Sequence, residues 1–372
     1  MQLVWIEARD FRNYHEVSLE VDPGLTAVVG PNAQGKTNLL EAMHYLCSLE
    51  SPRVSSDFPL VRVDAATRGS PESGSRSAFL RGEVESAVGR ALIAVEVKAS
   101  GANRVQVNRS SVRRKRDLRR YVRAVFCGPE DLSIVLGDPD ERRRFMDEAV
   151  RAHWPARDGV ASAYERALRQ RNRLLKEWSG DGEPPGISGW DGELVAHGAA
   201  LTSLRRRAVE DLRHRARSEF QALTEGSEDF LVEYRPSVEG PDETLEEAFA
   251  QRLAERRSDE LIRRTTLVGP HRDELGLVVQ GLAARGFASH GEAWAAAVCL
   301  RLALAGAVAE EIGEPPIMFL DDPFSGLDPA RRRRLAGGLH GRGQVVMALP
   351  DDTQVPEGSA LWWVKEGRVR PG

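Results

Sequence analysis

A chain of 372 residues with 41% hydrophobic and 29% charged side chains has apolar mass for a sizeable core, as one large α/β unit with an insertion or as two domains. Its 52 basic and 56 acidic side chains leave a net charge of −4, so a nucleic-acid partner has to be met by arginines gathered into patches. Three scattered cysteines (Cys47, Cys127, Cys299) exclude a disulfide framework and a CxxC zinc site; no signal peptide opens the chain, and Arg301 breaks the longest apolar run, 293–309, so a cytoplasmic protein without a membrane partner is expected.

The short runs QLVWIEA, VSLEV and LTAVVG predict strands. GPNAQGKT, Gly30 to Thr37, follows the third and opens the helix KTNLLEAMHYL. This is the P-loop pattern in the strand-to-helix context that its chemistry needs. Glycines let the backbone close on phosphates, while successive N–H groups and the helix N-terminus supply positive potential. Gly30, Pro31, Asn32, Ala33, Gln34, Gly35, Lys36 and Thr37 are therefore the expected ATP-binding residues. Lys36 should reach the β- and γ-phosphates and Thr37 should hold Mg²⁺. The bland reading is a glycine turn that binds nothing.

After a Ser- and Gly-rich loop, AFLRGEV, ALIAVEV and RVQVN predict further strands. NRSSVRRKRDLRRYVR, Asn108 to Arg123, then sets eight basic residues against the single acid Asp117. Arg142–Arg144, Arg205–Arg207, Arg213–Arg217 and Arg331–Arg334 add smaller groups. Each is either a solvated face or a contact to duplex phosphates, and with no zinc finger, helix-turn-helix or RNP signature such contacts would read backbone and shape.

From DPDERRRFMDEAV the pattern turns helical. One long helix carries Tyr164, Leu168, Leu175 and Trp178; a second carries Trp190, Leu194, Leu201, Leu204, Ala208, Leu212, Ala216 and Phe220, about 45–50 Å long at 1.5 Å per residue. SGDGEPPGISG between them is turn chemistry, so an αα-hairpin is predicted. FLVEYRP reads as a strand, a charged helix follows, and LGLVVQG returns to strand pattern.

RGFASHGEAWAAAV places Ser289 and His290 side by side, but outside the G-x-S-x-G elbow of a hydrolase nucleophile. Ser289 instead precedes an Ala-rich helix. Ser289 and Gly291 either meet the γ-phosphate of ATP held by a second copy or form a simple helix cap. PPIMFLDDPFSGLD is an apolar strand ending in two carboxylates, with Asp321 placed for Mg²⁺ and Asp322 for the attacking water, unless the pair merely caps the next helix.

P-loop, Ser-x-Gly-Glu segment, Asp-Asp strand and SGLD, in that order, resemble an ABC-type ATPase head. DFRNY, GPEDLSIVLGDPDERRRFMDE, YERALRQRNRLLK, WDGELVAHGA and GPHRDEL are similar to the RecF family of the RecF/SMC branch, and NRSSVR and ASHGE to its actinobacterial members. The resemblance implies an α/β fold, an ABC-type P-loop head (mixed sheet with antiparallel subdomain) plus an inserted mainly helical arm. The head would span 1–128 and 265–372 and the arm 129–264. It adds Arg12 and Asn13 to the nucleotide site, Glu130 to the catalytic group beside Asp322 and Lys36, and Asp328 in the D-loop. It implies a slow DNA-stimulated ATPase of recombinational repair, replication and the SOS response. Such a protein dimerises on ATP and binds double-stranded DNA at junctions with single-stranded gaps. It works with RecO and RecR and indirectly with RecA. The alternatives are an SMC-like structural chromosome ATPase, for which the hairpin is too short, or another stand-alone ABC-type ATPase. A transporter would carry Glu at Asp322 and a switch histidine after QVVMAL, where PDDT stands. The family usually reads Asp-Asp-Val-Phe-Ala-Glu-Leu-Asp, so Pro323, Ser325 and Gly326 depart from it, and the SMC-like branch has Gln where Glu130 sits.

Overall fold

A computed structural model describes residues 1–63, 77–226 and 228–372. The Ser- and Gly-rich loop expected before Ser77 lies outside the described residues. The chain forms two compact units, Met1–Leu132 with Glu219–Ser227 and Ser289–Gly372, and Ser133–Ser218 with Glu228–Ala288.

The first unit holds two six-stranded sheets. In one, Leu25–Val29, Val345–Leu349 and Ile317–Asp321 are buried at every residue. A strand covered on both faces needs an unbroken apolar run, which is what the sequence supplies at all three. Ala124–Cys127 pairs parallel to Ile317–Asp321, Ala360–Lys365 pairs parallel to Leu25–Val29, and Arg368–Pro371 closes that edge antiparallel. In the other sheet, Tyr14–Glu20, Gln2–Phe11, Ser77–Ser86, Gly89–Lys98, Arg104–Val107 and Ser110–Ser111 follow one another antiparallel. Ser77–Ser86 and Gly89–Lys98 alternate buried and open residues, the pattern of a sheet with one face on the core.

Helix Lys36–Ser48 is buried along most of its length. Leu39, Met43 and Leu46 share one core with Ile6, Leu80 and Ile93 of the antiparallel sheet and with Val28 and Phe319 of the mixed sheet. The helix that begins at the P-loop is thus held by both sheets, which fixes the loop. Helix His290–Ile312 is buried on nearly all sides, Arg301 included. Arg301 forks onto Asp131 at 2.6 and 3.0 Å, a pair that the apolar surroundings make costly to break. No helix among the described residues is long and apolar enough to cross a membrane.

The second unit contains the hairpin of helices Gly159–Glu177 and Ile187–Thr224, the latter grouped with the first unit from residue 219 onward. Tyr164 and Ala167 share a core with Leu194, Ala199 and Leu201. Trp178 lies just past the first helix in extended conformation and donates its indole N–H to the Gly182 carbonyl. The second helix has 38 residues, about 57 Å at 1.5 Å per residue, longer than the sequence pattern indicates. Burial of Ile187 outweighs the poor helix propensity of Gly189 and Gly192. The expected charged helix is two, Leu245–Glu255 and Arg257–Arg263, broken at Arg256.

A three-stranded sheet, Leu282–Ala283, Glu274–Val279 and Phe230–Arg235, completes this unit. The return to the head expected at residue 265 is therefore corrected to Ser289. Six residue pairs bind Glu274–Val279 to Phe230–Arg235 and keep this stretch with the helical unit.

Candidate nucleotide site

Lys36 shows how the P-loop is shaped. Its Nζ donates to the carbonyls of Gly30 (2.5 Å) and Pro31 (3.0 Å), drawing the loop round the ammonium group. Burial lowers its pKa, opposed by Asp321 and Asp322. Gly35, at φ 114°, caps the following helix, and a Cβ there would sit 2.5 Å from Asn13 Nδ2 and 2.9 Å from Tyr14 Oη. Only glycine fits that backbone and that space. Asn13 donates to the Gln34 carbonyl (3.3 Å) and Tyr14 Oη to the Gly35 carbonyl (3.0 Å). The terminal hairpin braces the other side, with the Glu366 and Gly367 N–H groups donating to Gln34 Oε1 and O. Pro31, Asn32 and Ala33 stay exposed at the tip, Ala33 at φ 62°.

Thr37 Oγ1 donates to Asp321 Oδ2 at 2.8 Å, joining the P-loop to the end of the Ile317–Asp321 strand across 284 positions of sequence. Burial raises the Asp321 carboxyl to about 6, Thr37 opposes the rise, and Glu130 and Asp322 add to it. Asp322 is also raised by burial, against Lys36. It stands at φ 50°, its N–H donating to the Ala348 carbonyl. Asp351, in the PDDT segment after the Val345–Leu349 strand, adds negative potential at Asp322.

Glu130 is carried by a turn that Asp131 fixes, accepting from the Gly128 N–H (3.1 Å) and from Arg301. A Cβ on Gly128 would lie 3.1 Å from Glu130 Oε2 and 3.6 Å from Asp321 Cβ, so Glu130 and Asp321 are neighbours. A hydroxyl and a carboxylate 2.8 Å apart, with two more carboxylates nearby, are the hard oxygen donors that suit Mg²⁺. Among the described residues no three His, Cys, Asp or Glu side chains could hold a metal alone. A Mg²⁺ ion held by few protein oxygens takes the rest from phosphate and water.

Arg12 does not point free toward a ligand. It forks onto Glu41 with two 2.7 Å bonds and donates to the Pro59 carbonyl (3.0 Å). Glu41, fully buried, also accepts from Ser51 at 2.6 Å and lies 3.5 Å from Arg53, which pairs in turn with Glu130 at 3.4 Å. Sequence reasoning missed Glu41, Arg53, Asp131 and Arg301. The signal was a lone acid on a helix of otherwise core-facing residues and a lone arginine in an apolar helix.

Ser289, Gly291 and Asp328 form a second group. Ser289 caps helix His290–Ile312 in a reciprocal box with Glu292, accepting from its N–H (3.3 Å) and donating its own N–H to the carboxylate (2.8 Å). Hydrogen bonds from the Ser289 hydroxyl and then its N–H hold the Glu292 carboxyl low. Asp328 caps helix Pro329–Leu339 through the N–H groups of Ala330 and Arg331. A Cβ on Gly291 would meet the Gly326 carbonyl at 2.9 Å, and one on Gly326, at φ 67°, would meet His290 Cδ2 at 3.2 Å. The helix start and the SGLD turn therefore approach closely at Gly291 and the Gly326 carbonyl, and the positive φ favours glycine at 326. Trp294 Nε1 donates to the Pro323 carbonyl beneath them.

The arginine clusters separate by what they touch. Arg142 forks onto Glu274, and Arg205, 3% exposed, binds Asp147, Asp273 and the Pro270 carbonyl. These two brace the second unit and are removed from the candidate DNA contacts. Arg144, Arg206 and Arg217 pair with Glu141, Asp242 and Asp229, Arg207 lies 4.8 Å over the Trp154 ring, and Arg334 pairs with Glu225. In the 108–123 stretch, Arg119 and Lys115 pair with Glu50. Arg109, Arg113, Arg114 and Arg120 are exposed and Arg116 half-buried, all without an ion pair among the described residues.

Comparisons with known proteins agree along the whole chain. Residues 2–364 match the RecF/RecN/SMC N terminal domain. The chain is 41% identical over 381 residues to the DNA replication and repair protein RecF of Streptomyces avermitilis, covering 99% of each. It is 39% identical to that of Kineococcus radiotolerans, covering 95% of this chain and 94% of the other. A solved structure of the recombination mediator protein RecF-ATP in RecFOR pathway covers all of this chain, and this chain 99% of it, with a TM-score of 0.86 at 27% identity. An Smc head domain of Pyrococcus furiosus matches at a TM-score of 0.57 and 15% identity, a likeness of fold, with 100% of this chain and 95% of that one covered.

Proposed function

This chain belongs to the RecF family, with an ABC-type ATPase head, and on that premise we propose that it is an ATP-switched DNA-binding protein of recombinational repair and replication maintenance. The observation that carries the reading is the 2.8 Å bond from Thr37 to Asp321, which sets a phosphate loop and a cation-binding carboxylate at one point. Lys36 binds the β- and γ-phosphates, Thr37 and Asp321 hold Mg²⁺, and Asp322 orients the attacking water, with Glu130 in the catalytic group as the neighbour of Asp321. Mg²⁺, when bound, neutralises charge on the phosphates. Asn13 supports the loop through Gln34, and Arg12 pairs with Glu41 on the helix that the loop opens. Ser289 and Gly291, with Asp328 behind them, meet the γ-phosphate of ATP held by a second copy, so ATP closes a homodimer and slow, DNA-stimulated hydrolysis opens it.

The unpaired arginines of 109–120 bind duplex phosphates beside single-stranded gaps, where the protein acts with RecO and RecR to help load RecA in the cytoplasm. Relatives described as DNA replication and repair proteins and as a mediator of the RecFOR pathway support this reading.

Sedimentation velocity tests the switch. Wild type should be dimeric with ATP and monomeric with ADP, which offers the partner's Ser289 no γ-phosphate. Ser289→Arg should bind ATP as a monomer and lose ATP-dependent DNA binding. An ATP-dependent dimer of Ser289→Arg would leave Ser289 as a helix cap only.

A further inference from the structure

The second unit carries a cleft of about 440 Å³ that has no part in the nucleotide site. Helices Leu245–Glu255 and Arg257–Arg263 contribute Arg252, Arg256, Asp259 and Arg263 to it, and the chain beside them contributes Ser237 and Arg272. Four guanidinium groups thus face one space with a single carboxylate among the residues lining it. Arg252 and Arg256 are each partly neutralised in solvent, by Glu255 at 3.1 Å and Asp259 at 2.9 Å. Arg263 and Arg272 are exposed and have no ion pair among the described residues. Ser237 Oγ accepts the Gly269 N–H at 3.1 Å, which leaves its own proton to donate.

Like charges gathered in a concave surface repel one another, and an anionic ligand relieves that repulsion. Guanidinium groups pair with carboxylates through two parallel bonds, which favours this anion over a diffuse counter-ion cloud. The cleft also has an apolar component. Leu267 and Val268 form part of its wall. Ile262 does not line the cleft, but it adjoins the lining Arg263 in sequence and is 81% exposed, the most open large hydrophobic residue described. A nucleic-acid backbone would leave the apolar wall at Leu267 and Val268 without a partner. A short acidic peptide with an apolar side chain satisfies both features, and a compact cleft of this volume suits a few side chains better than an extended strand.

We propose that this cleft docks an acidic peptide segment of a partner protein, with its carboxylates on Arg263 and Arg272, an apolar side chain against Leu267, and its flank reaching the exposed Ile262 beside Arg263. The site is independent of the nucleotide reading, because none of these residues belongs to the P-loop or its carboxylates.

Fluorescence anisotropy on the full chain tests it with a labelled Asp-rich decapeptide bearing one central leucine, the same peptide with Asn for Asp, and a labelled single-stranded oligonucleotide. The Asp peptide should bind at least about tenfold more tightly than the Asn peptide, and Arg263→Ala and Arg272→Ala should each cost about tenfold. Ile262→Ser should weaken the Asp peptide and leave ATP-dependent duplex binding and the melting midpoint as in wild type. Equal binding of the two peptides, or arginine variants that bind like wild type, would overturn the proposal. Displacement of the peptide by the oligonucleotide, with the same dependence on Arg263 and Arg272, would make the cleft a phosphate track and overturn it as well.

Discussion

Replacing Arg113, Arg114 and Arg116 with Ala removes three cations that have no carboxylate partner among the described residues. Each phosphate contact contributes about 0.9 to the slope of log affinity against log salt, so three contacts make the slope shallower by about 2.7. Between about 50 and 200 mM salt, wild type should then lose about 40-fold more affinity for duplex DNA than the triple variant. Two of the three side chains are exposed and the third half-buried, so the substitutions should shift stability by no more than about 0.5 kcal/mol each. The assay is fluorescence anisotropy of a labelled duplex with ATP across that salt range, repeated on a second, unrelated sequence. Arg144→Ala with Arg217→Ala is the control. Glu141 at 2.7 Å and Asp229 at 2.8 Å already neutralise those two, so the slope should change far less. An unchanged slope in the triple variant, or a loss confined to one duplex, would make this stretch a solvated face.

Lys36→Ala should weaken ATP by at least about a hundredfold, because its ammonium group is drawn into the loop, while the melting midpoint stays close to wild type; titration calorimetry showing wild-type affinity would place the site elsewhere. Asp322→Asn should retain ATP and slow turnover by about a hundredfold or more, since Asn tolerates the φ of 50° at that position. Unchanged turnover in a phosphate-release assay would move the role to Glu130 or Glu292. His271 should make stability fall with acid. Its Nε2–H donates to the Thr266 carbonyl and its Nδ1 accepts from Tyr164 Oη (2.6 Å), and burial holds its pKa down to about 4. The unfolded chain takes up that proton below about 6.5, so about 3 kcal/mol is present above that pH and is lost as pH falls from 6.5 towards 4. His271→Gln should flatten the melting profile over that window; parallel profiles would refute the assignment.

The parts of this fold that depend on local pattern were legible in the sequence. Leu25–Val29, Ile317–Asp321 and Val345–Leu349 are apolar runs bounded by turn residues, and the P-loop is a contiguous motif. What remained hidden depends on distant partners. Ala124–Cys127 is four residues long, directly follows an arginine cluster, and becomes a strand only by pairing with Ile317–Leu320. Asp131 reads as an ordinary helix-start acid until Arg301 reaches it across 170 positions. Arg142 and Arg205 look like surface charge in sequence, yet both are buried on carboxylates, because charge alone does not say which side of a helix faces the core. Gly189 reads as turn and was absorbed into a helix by the packing of Ile187 and Leu194. At the candidate site, the residues proposed to bind phosphate were readable as a contiguous motif, whereas Glu41 and Arg53, which tie Arg12 to Glu130, required the fold.

The central claim is that nucleotide state controls DNA binding. Duplex affinity measured by anisotropy in ATP, in ADP and without nucleotide, for wild type and Lys36→Ala, tests it most directly. Wild type should bind tightly only with ATP, and Lys36→Ala should bind weakly in all three conditions. Equal wild-type affinity with ATP, with ADP and without nucleotide would contradict the account.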